Sequence, residues 1–97
     1  HETSTNLRDK IMSSYVNSAH HTNEILVKDL TTFVKRLEQQ SAYLNRDADM
    51  QQRHSAMLNT LEILDSVIRE ASRALTSHAK TFAHMTYEDA KTENKKA

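Results

Sequence analysis

The chain has 97 residues and contains no glycine, proline or cysteine, although an ordinary chain of this length carries about a dozen of the first two. Because the turns of sandwiches, barrels and α/β folds depend on glycine and proline, the composition excludes those classes and predicts an all-α fold. Thirteen basic residues balance thirteen acidic ones, which argues against nucleic acid or an anionic lipid surface as the main partner.

Three expectations concern the setting of the chain. No uninterrupted apolar run approaches the length of a membrane span, so we expect no membrane insertion. The absence of cysteine is typical of a reducing compartment and favours an intracellular, cytoplasmic location. A start at His1 without a methionine suggests a mature chain or an excised fragment.

The first half of the chain is predicted to form one long amphipathic helix over about residues 7–45. Asn6 suits its N-cap, with Asp9 three residues on to face the exposed amides. Val27 and Val34 form a second apolar column beside the main one. The main column recurs at alternating steps of four and three residues, which puts it on one stripe: Leu26, Leu30, Phe33 and Leu37.

Between about residues 45 and 55 the apolar pattern is lost, and two interpretations remain open. In the first, Asn45 ends a helix in the left-handed conformation that it tolerates better than most residues. Asp49 then caps a second helix, with Gln52 completing a capping box. In the second interpretation one continuous helix runs through with a polar layer on its stripe. The paired cap signals favour the hairpin, whereas the missing glycine favours continuity.

A second amphipathic helix is predicted over about residues 50–90. Ile63, Val67 and Ala74 widen its apolar stripe to a second column. Asp65 and Arg69 form an acid-before-base pair at four-residue spacing, which supports a helix. The main stripe repeats the pattern of the first helix, with large residues at Leu61, Leu64, Ile68 and Leu75.

Two apolar columns per helix require at least two neighbouring helices, because a two-stranded coiled coil covers only one. We therefore expect residues 1–97 to form a single elongated helical module that packs as an oligomeric four-helix bundle or coiled coil. The homo-oligomer would be a dimer of hairpins or a tetramer of long helices. The residues expected at the interface are Leu26, Leu30, Phe33, Leu37, Leu61, Leu64, Ile68 and Leu75.

Six histidines invite a metal-site hypothesis. A hairpin turning near Asp47 would bring His20 or His21, with Glu24, to the level of His78. The spacing lacks the recognised zinc and di-iron helix motifs, so we predict no metal or other cofactor. A second hypothesis is that polar side chains interrupt the buried stripe, fix its register and act as a pH switch where they are histidines. These side chains are His20, His21, Asn23, Gln40 and His54.

The sequence offers no catalytic motif, since it has no cysteine nucleophile, no glycine-rich phosphate loop and no nucleophile elbow. We expect a structural self-association module, not an enzyme, within a larger intracellular protein such as a cytoskeletal-motor stalk, a tether or a scaffold. The alternative is a heterotypic adaptor, in which a hairpin presents an apolar groove to a helix of a partner protein.

Overall fold

The computed structural model describes residues 2–96, and it describes side chains for residues 6–91. Over this range the chain forms two helices and no strand: α1 spans Glu2–Ser41 and α2 spans Met50–Lys96. The all-α prediction is confirmed, and the chain forms a hairpin, not one continuous helix. Its contacts divide into a turn unit, Ile25–Arg73, and a terminal unit, His1–Glu24 with Ala74–Ala97.

The bounds of α1 differ from the prediction at both ends. The helix begins at Glu2, so the predicted N-cap at Asn6 is wrong and Asn6 lies inside the helix. At the other end α1 stops at Ser41, before the predicted boundary. The amides of Tyr43 and Leu44 bond to carbonyls only three residues earlier, at 3.0 and 3.1 Å. This tightening of the last turn is a common way for a helix to end without glycine.

Asn45 shapes the turn through its side chain. Its Oδ1 accepts hydrogen bonds from the amides of Asp47, at 2.8 Å, and Ala48, at 3.0 Å. Its Nδ2 donates to the carbonyl of Ala42. No described residue has a positive φ, so the predicted left-handed conformation of Asn45 is wrong. The amide side chain reverses the chain as an Asx turn, which needs no left-handed residue.

The start of α2 is the predicted capping box. The amide of Gln52 donates to Oδ1 of Asp49 at 2.7 Å, and the amide of Asp49 donates to Oε1 of Gln52 at 3.1 Å. Two amides that the helix leaves without partners are thereby satisfied by the two side chains. Asp49 is therefore the N-cap of α2, as its spacing to Gln52 predicts.

In the turn unit the two helices run antiparallel. The carboxyl group of Asp29 lies close enough to that of Glu70 to raise its pKa, and Nδ2 of Asn59 donates to Oε1 of Gln40 at 3.1 Å. The same number of residues separates the two partners on each helix, so the register is uniform between these contacts. Three half-buried side chains of α1 lie between these levels, Leu30, Phe33 and Leu37, and the half-buried Leu26 lies one turn before them.

The seam of α2 in the turn unit is made largely of small or β-branched residues. Ile63 is 1% exposed and Ala56 is 2% exposed, while Thr60 and Val67 are half-buried. Their steps of four and three residues form one stripe. Small residues on α2 let the helix approach the bulky leucines and phenylalanine of α1, as interdigitating helices require.

In the terminal unit the first part of α1 lies against the last part of α2. The rings of Tyr15 and His84 stack with centroids 5.6 Å apart and an interplanar angle of 8°. Nε2 of His78 is hydrogen-bonded to Oδ1 of Asn23 at 2.8 Å. Ala74 is buried at the start of this part of α2. Polar and aromatic pairs therefore do much of the packing in the terminal unit.

Candidate assembly surface

The most apolar stripe of α2 is exposed. In the turn unit Leu61 is 59% exposed, Leu64 is 43% exposed and Ile68 is 66% exposed. In the terminal unit Leu75 and Phe82, which continue the same helical spacing, are exposed as well. The helix thus uses its column of smaller residues for contact with α1 and leaves its column of large residues uncovered.

Helical geometry places this stripe on one side of the hairpin. Because each residue turns by about 100°, the stripe on α2 is rotated from the seam by about a third of a turn. On α1 the exposed Val27 and Val34 are rotated from their own seam by a similar angle in the same sense. Because the two helices run antiparallel and both columns are displaced from the seam in the same rotational sense, the two columns lie on the same side of the hairpin. We call this surface of the turn unit the apolar face: Val27, Val34, Met57, Leu61, Leu64 and Ile68.

The opposite side of the turn unit is polar. Ile25, at 45% exposure, is the large apolar side chain found there. The other residues that helical geometry places on this side are exposed or half-buried polar groups. They are Thr32, Arg36, Gln39, Ser55, Glu62 and Arg73. One hairpin therefore separates an apolar face from a polar one, as amphipathic helices do singly.

The surface area of the chain shows how little of it one copy buries. A compact monomer of 11.1 kDa has an accessible surface of about 5,700 Å², whereas this chain exposes 7929 Å². The excess of roughly 2,200 Å² is comparable to what each partner contributes to a large obligate interface. Four apolar side chains are buried among the described residues, and Ile63 is the largest of them.

The eight residues expected at the interface fall into two groups. Those of α1 are half-buried in the contact between the two helices of one hairpin. Those of α2, namely Leu61, Leu64, Ile68 and Leu75, are exposed. The prediction did not distinguish the seam of α2 from its open stripe. The signal for the seam lies in the sequence as a run of mostly small residues at steps of four and three, from Ala56 to Thr60, Ile63 and Val67.

The histidines that the structure describes do not converge on a metal site. Nε2 of His20 lies 2.7 Å from Oε1 of Glu24, while His78 bonds to Asn23. Among the described residues no three histidine, aspartate or glutamate side chains come together as a set of metal ligands. His20, His21, Asn23 and His54 are exposed in the single chain, and the hypothesis that they interrupt the buried stripe of a bundle stays a prediction. Gln40 is half-buried and bonds across the seam.

A pair of carboxyl groups crosses the seam of the turn unit. The hydrogen bond that protonated Glu70 can donate to the Asp29 carboxylate raises the pKa of Glu70, and partial burial and the charge of Asp29 raise it further. The guanidinium of Arg73, whose Nη1 lies 3.4 Å from Oε2 of Glu70, lowers that pKa in part. Protonated Glu70 is the form that can donate to Asp29, so this contact is stronger below the raised pKa of Glu70 than above it.

A depression of about 360 Å³ lies beside the turn. Its ionisable side chains are Tyr43 and Asp49, and Asp49 already caps α2. The lining therefore offers no pair of groups suited to proton transfer. No helix among the described residues is apolar over a stretch long enough to cross a lipid bilayer. No protein family, curated protein or solved structure matches the chain.

Proposed function

We propose that the chain is a self-association module, in which two hairpins bury their apolar faces against each other as a four-helix bundle. In this role it joins two copies of a larger intracellular protein, such as a motor stalk, a tether or a scaffold, and fixes the distance between their attached parts. The observation that carries the proposal is the exposed apolar face of the turn unit.

The magnitude of the hydrophobic effect supports this proposal. Burying apolar surface contributes about 25 cal/mol per Å², and one hairpin leaves Leu61, Leu64 and Ile68 of α2 outside the seam. A seam in which Ile63 is the one large buried side chain among the described residues leaves a 97-residue chain poorly stabilised. A second hairpin supplies the missing cover without any change of the first, because the face is already formed on one side.

The test is the molecular mass in solution, measured by light scattering coupled to size exclusion. We expect the unchanged chain to have about twice the mass of one chain, which is 11.1 kDa. A variant with Leu64→Gln and Ile68→Gln should be a helical monomer, because both side chains lie outside the seam. The matched control is Ile25→Gln, an exposed aliphatic residue on the polar side, which should remain a dimer. A helical monomer for the unchanged chain at high concentration contradicts self-association.

The apolar face also supports a second function, the binding of a helix from a partner protein. Its two columns lie on neighbouring helices, whose axes pack about 8–10 Å apart. Such paired columns are the usual walls of a groove for an amphipathic helix. A folded monomer that binds an amphipathic helical peptide, and loses that binding in the Leu64→Gln, Ile68→Gln variant, would favour this adaptor function over self-association.

A further inference from the structure

We infer that the two hairpins pair with α2 against α2 of the second copy, with their turns at opposite ends of the bundle. This inference rests on the proposed self-association and adds its geometry. Two symmetric ways of joining the apolar faces exist. Either each helix faces its own counterpart across a two-fold axis perpendicular to the helices, or α2 of each copy faces α1 of the other with both turns at one end.

The outer flanks of the apolar face distinguish the two arrangements. On α2 the apolar surface continues outward past Leu61 to Leu58, which is 53% exposed. On α1 the corresponding flank is polar, with Thr31 and Glu38 exposed. The hydroxyl of Thr31 donates to the carbonyl of Val27 at 2.6 Å and is already satisfied. The face is therefore asymmetric, apolar beyond α2 and polar beyond α1.

If α2 of each copy faced α1 of the other, the apolar flank of α2 would lie against the polar flank of α1. The register set by the Gln40–Asn59 and Asp29–Glu70 contacts puts Leu61 at the level of Glu38. In a bundle with both turns at one end, Leu61 would therefore meet the Glu38 carboxylate of the second copy. Covering a charged carboxylate with a leucine costs free energy unless the charge is paired. Facing like helices instead buries the leucines of α2 against each other and leaves Glu38 on a polar flank.

The large residues of α2 also lie opposite residues of similar size when α2 of one copy packs antiparallel against α2 of the other. With the two-fold axis midway between Leu61 and Leu64, Leu61 of one copy meets Leu64 of the other. Met57 then meets Ile68 in the same way, because an antiparallel pair joins positions equally distant from the axis. All four side chains are exposed in the single hairpin. Each is covered in this arrangement by a side chain of similar size.

The absence of cysteine makes a spin-label test direct. Single variants Gln51→Cys, Glu62→Cys and Arg73→Cys place labels on α2 at similar angles, away from the apolar face. Pulsed electron resonance on the dimer then measures the distance between the two copies. At 1.5 Å per residue, the inferred arrangement adds an axial separation of about 35 Å at position 51 and about 30 Å at position 73, and almost none at position 62.

The expected result is therefore a short distance at position 62 and clearly longer ones at the two other positions. Equal distances at all three positions overturn the inferred geometry, since they require both turns at one end, but leave self-association intact. The absence of any dimer in the unlabelled chain overturns the proposed function itself. The two failures are thus distinguishable.

A pair of substitutions gives a second measurement. In the inferred arrangement Leu61→Ala removes a buried contact and should weaken dimerisation at least tenfold, whereas Glu38→Ala should change it less than about threefold. If the turns lie at one end, Glu38→Ala removes a buried charge and should strengthen dimerisation. Sedimentation equilibrium of the two variants separates these results, and circular dichroism checks that both remain helical. A strengthened Glu38→Ala dimer overturns the inference.

Discussion

Ile63 is the largest fully buried side chain among the described residues, at 1% exposure. Replacing it by alanine removes buried methyl groups and leaves a cavity in the seam. We expect Ile63→Ala to lower the free energy of unfolding by about 2–5 kcal/mol. Ile25→Ala is the matched control, because Ile25 is 45% exposed on the polar side, and it should cost about 0.5 kcal/mol. Urea unfolding followed by circular dichroism measures both, and equal losses would contradict the assignment of the seam.

The Asp29–Glu70 contact makes the stability of the hairpin depend on pH. The pKa of Glu70 is raised above its ordinary value by the hydrogen bond and charge of Asp29 and by partial burial. The stability that the proton on Glu70 contributes is therefore fully present below the ordinary pKa of glutamate, and it is lost as the pH rises through the raised pKa. Above that raised pKa the Glu70 carboxylate is repelled by the charge of Asp29 across the seam.

Glu70→Gln should remove this dependence, because an amide donates to the Asp29 carboxylate at any pH. We expect the variant to melt at a higher temperature than the unchanged chain at pH 7, and the difference to shrink in acid. The ion pair to Arg73 is lost as well, but Arg73 is highly exposed, so that loss is small. Glu62→Gln, an exposed position, is the control. A melting difference that stays constant from pH 4 to pH 7 would contradict this role of the proton on Glu70.

At the scale of the elements, the capping box is the feature that ends the turn and begins α2. Asp49→Ala removes the acceptor for the Gln52 amide and should cost about 0.5–2 kcal/mol. Gln51→Ala changes an adjacent exposed residue whose side chain takes no part in the capping box. Its effect on the free energy of unfolding should therefore be within about 0.5 kcal/mol. Thermal unfolding compares the two. A cost for Gln51→Ala as large as that for Asp49→Ala would exclude the cap as the cause.

The elements also show how far sequence reasoning reaches. The spacing of Asp49 and Gln52 predicts the start of α2 because a capping box is local chemistry, fixed by side chains three residues apart. The end of α1 was mispredicted because Asn45 can reverse the chain in two ways, and the Asx turn that it forms depends on the backbone beyond it. Local patterns therefore fix the helices and one cap, but not the form of the turn.

The local sequence pattern of α2 does not predict which of its stripes contacts α1. Hydrophobicity alone favours Leu61 and Ile68 over Ala56 and Thr60 as the contact with α1. The structure buries Ala56 and half-buries Thr60 instead, since small residues fit between the bulky side chains of α1. Packing between two helices depends on the summed volumes of the side chains on both of them. The apolar periodicity of one helix carries no information about the side chains of the other. For the same reason an identical local sequence, Glu-Ile-Leu, has different burial in the two helices, because Ile25 is exposed and Ile63 is buried.

At the scale of the whole molecule, the proposed self-association makes the stability of the chain depend on its concentration. The chain exposes roughly 2,200 Å² more than a compact monomer of its mass, and in the proposed dimer the second copy covers the apolar face. Association of two chains follows mass action, so the melting temperature should rise with chain concentration. A monomeric protein of fixed stability has no such dependence.

Thermal unfolding over two orders of magnitude in chain concentration tests this expectation directly. We expect the melting temperature of the unchanged chain to rise steadily, whereas that of the Leu64→Gln, Ile68→Gln variant should be lower and independent of concentration. Ile63→Ala should behave differently from that variant, because it weakens the seam within each hairpin and leaves the apolar face in place. Its melting temperature should fall at every concentration but keep the slope of the unchanged chain. If the melting temperature of the unchanged chain did not vary with chain concentration, one hairpin would be stable alone. The apolar face would then need another explanation.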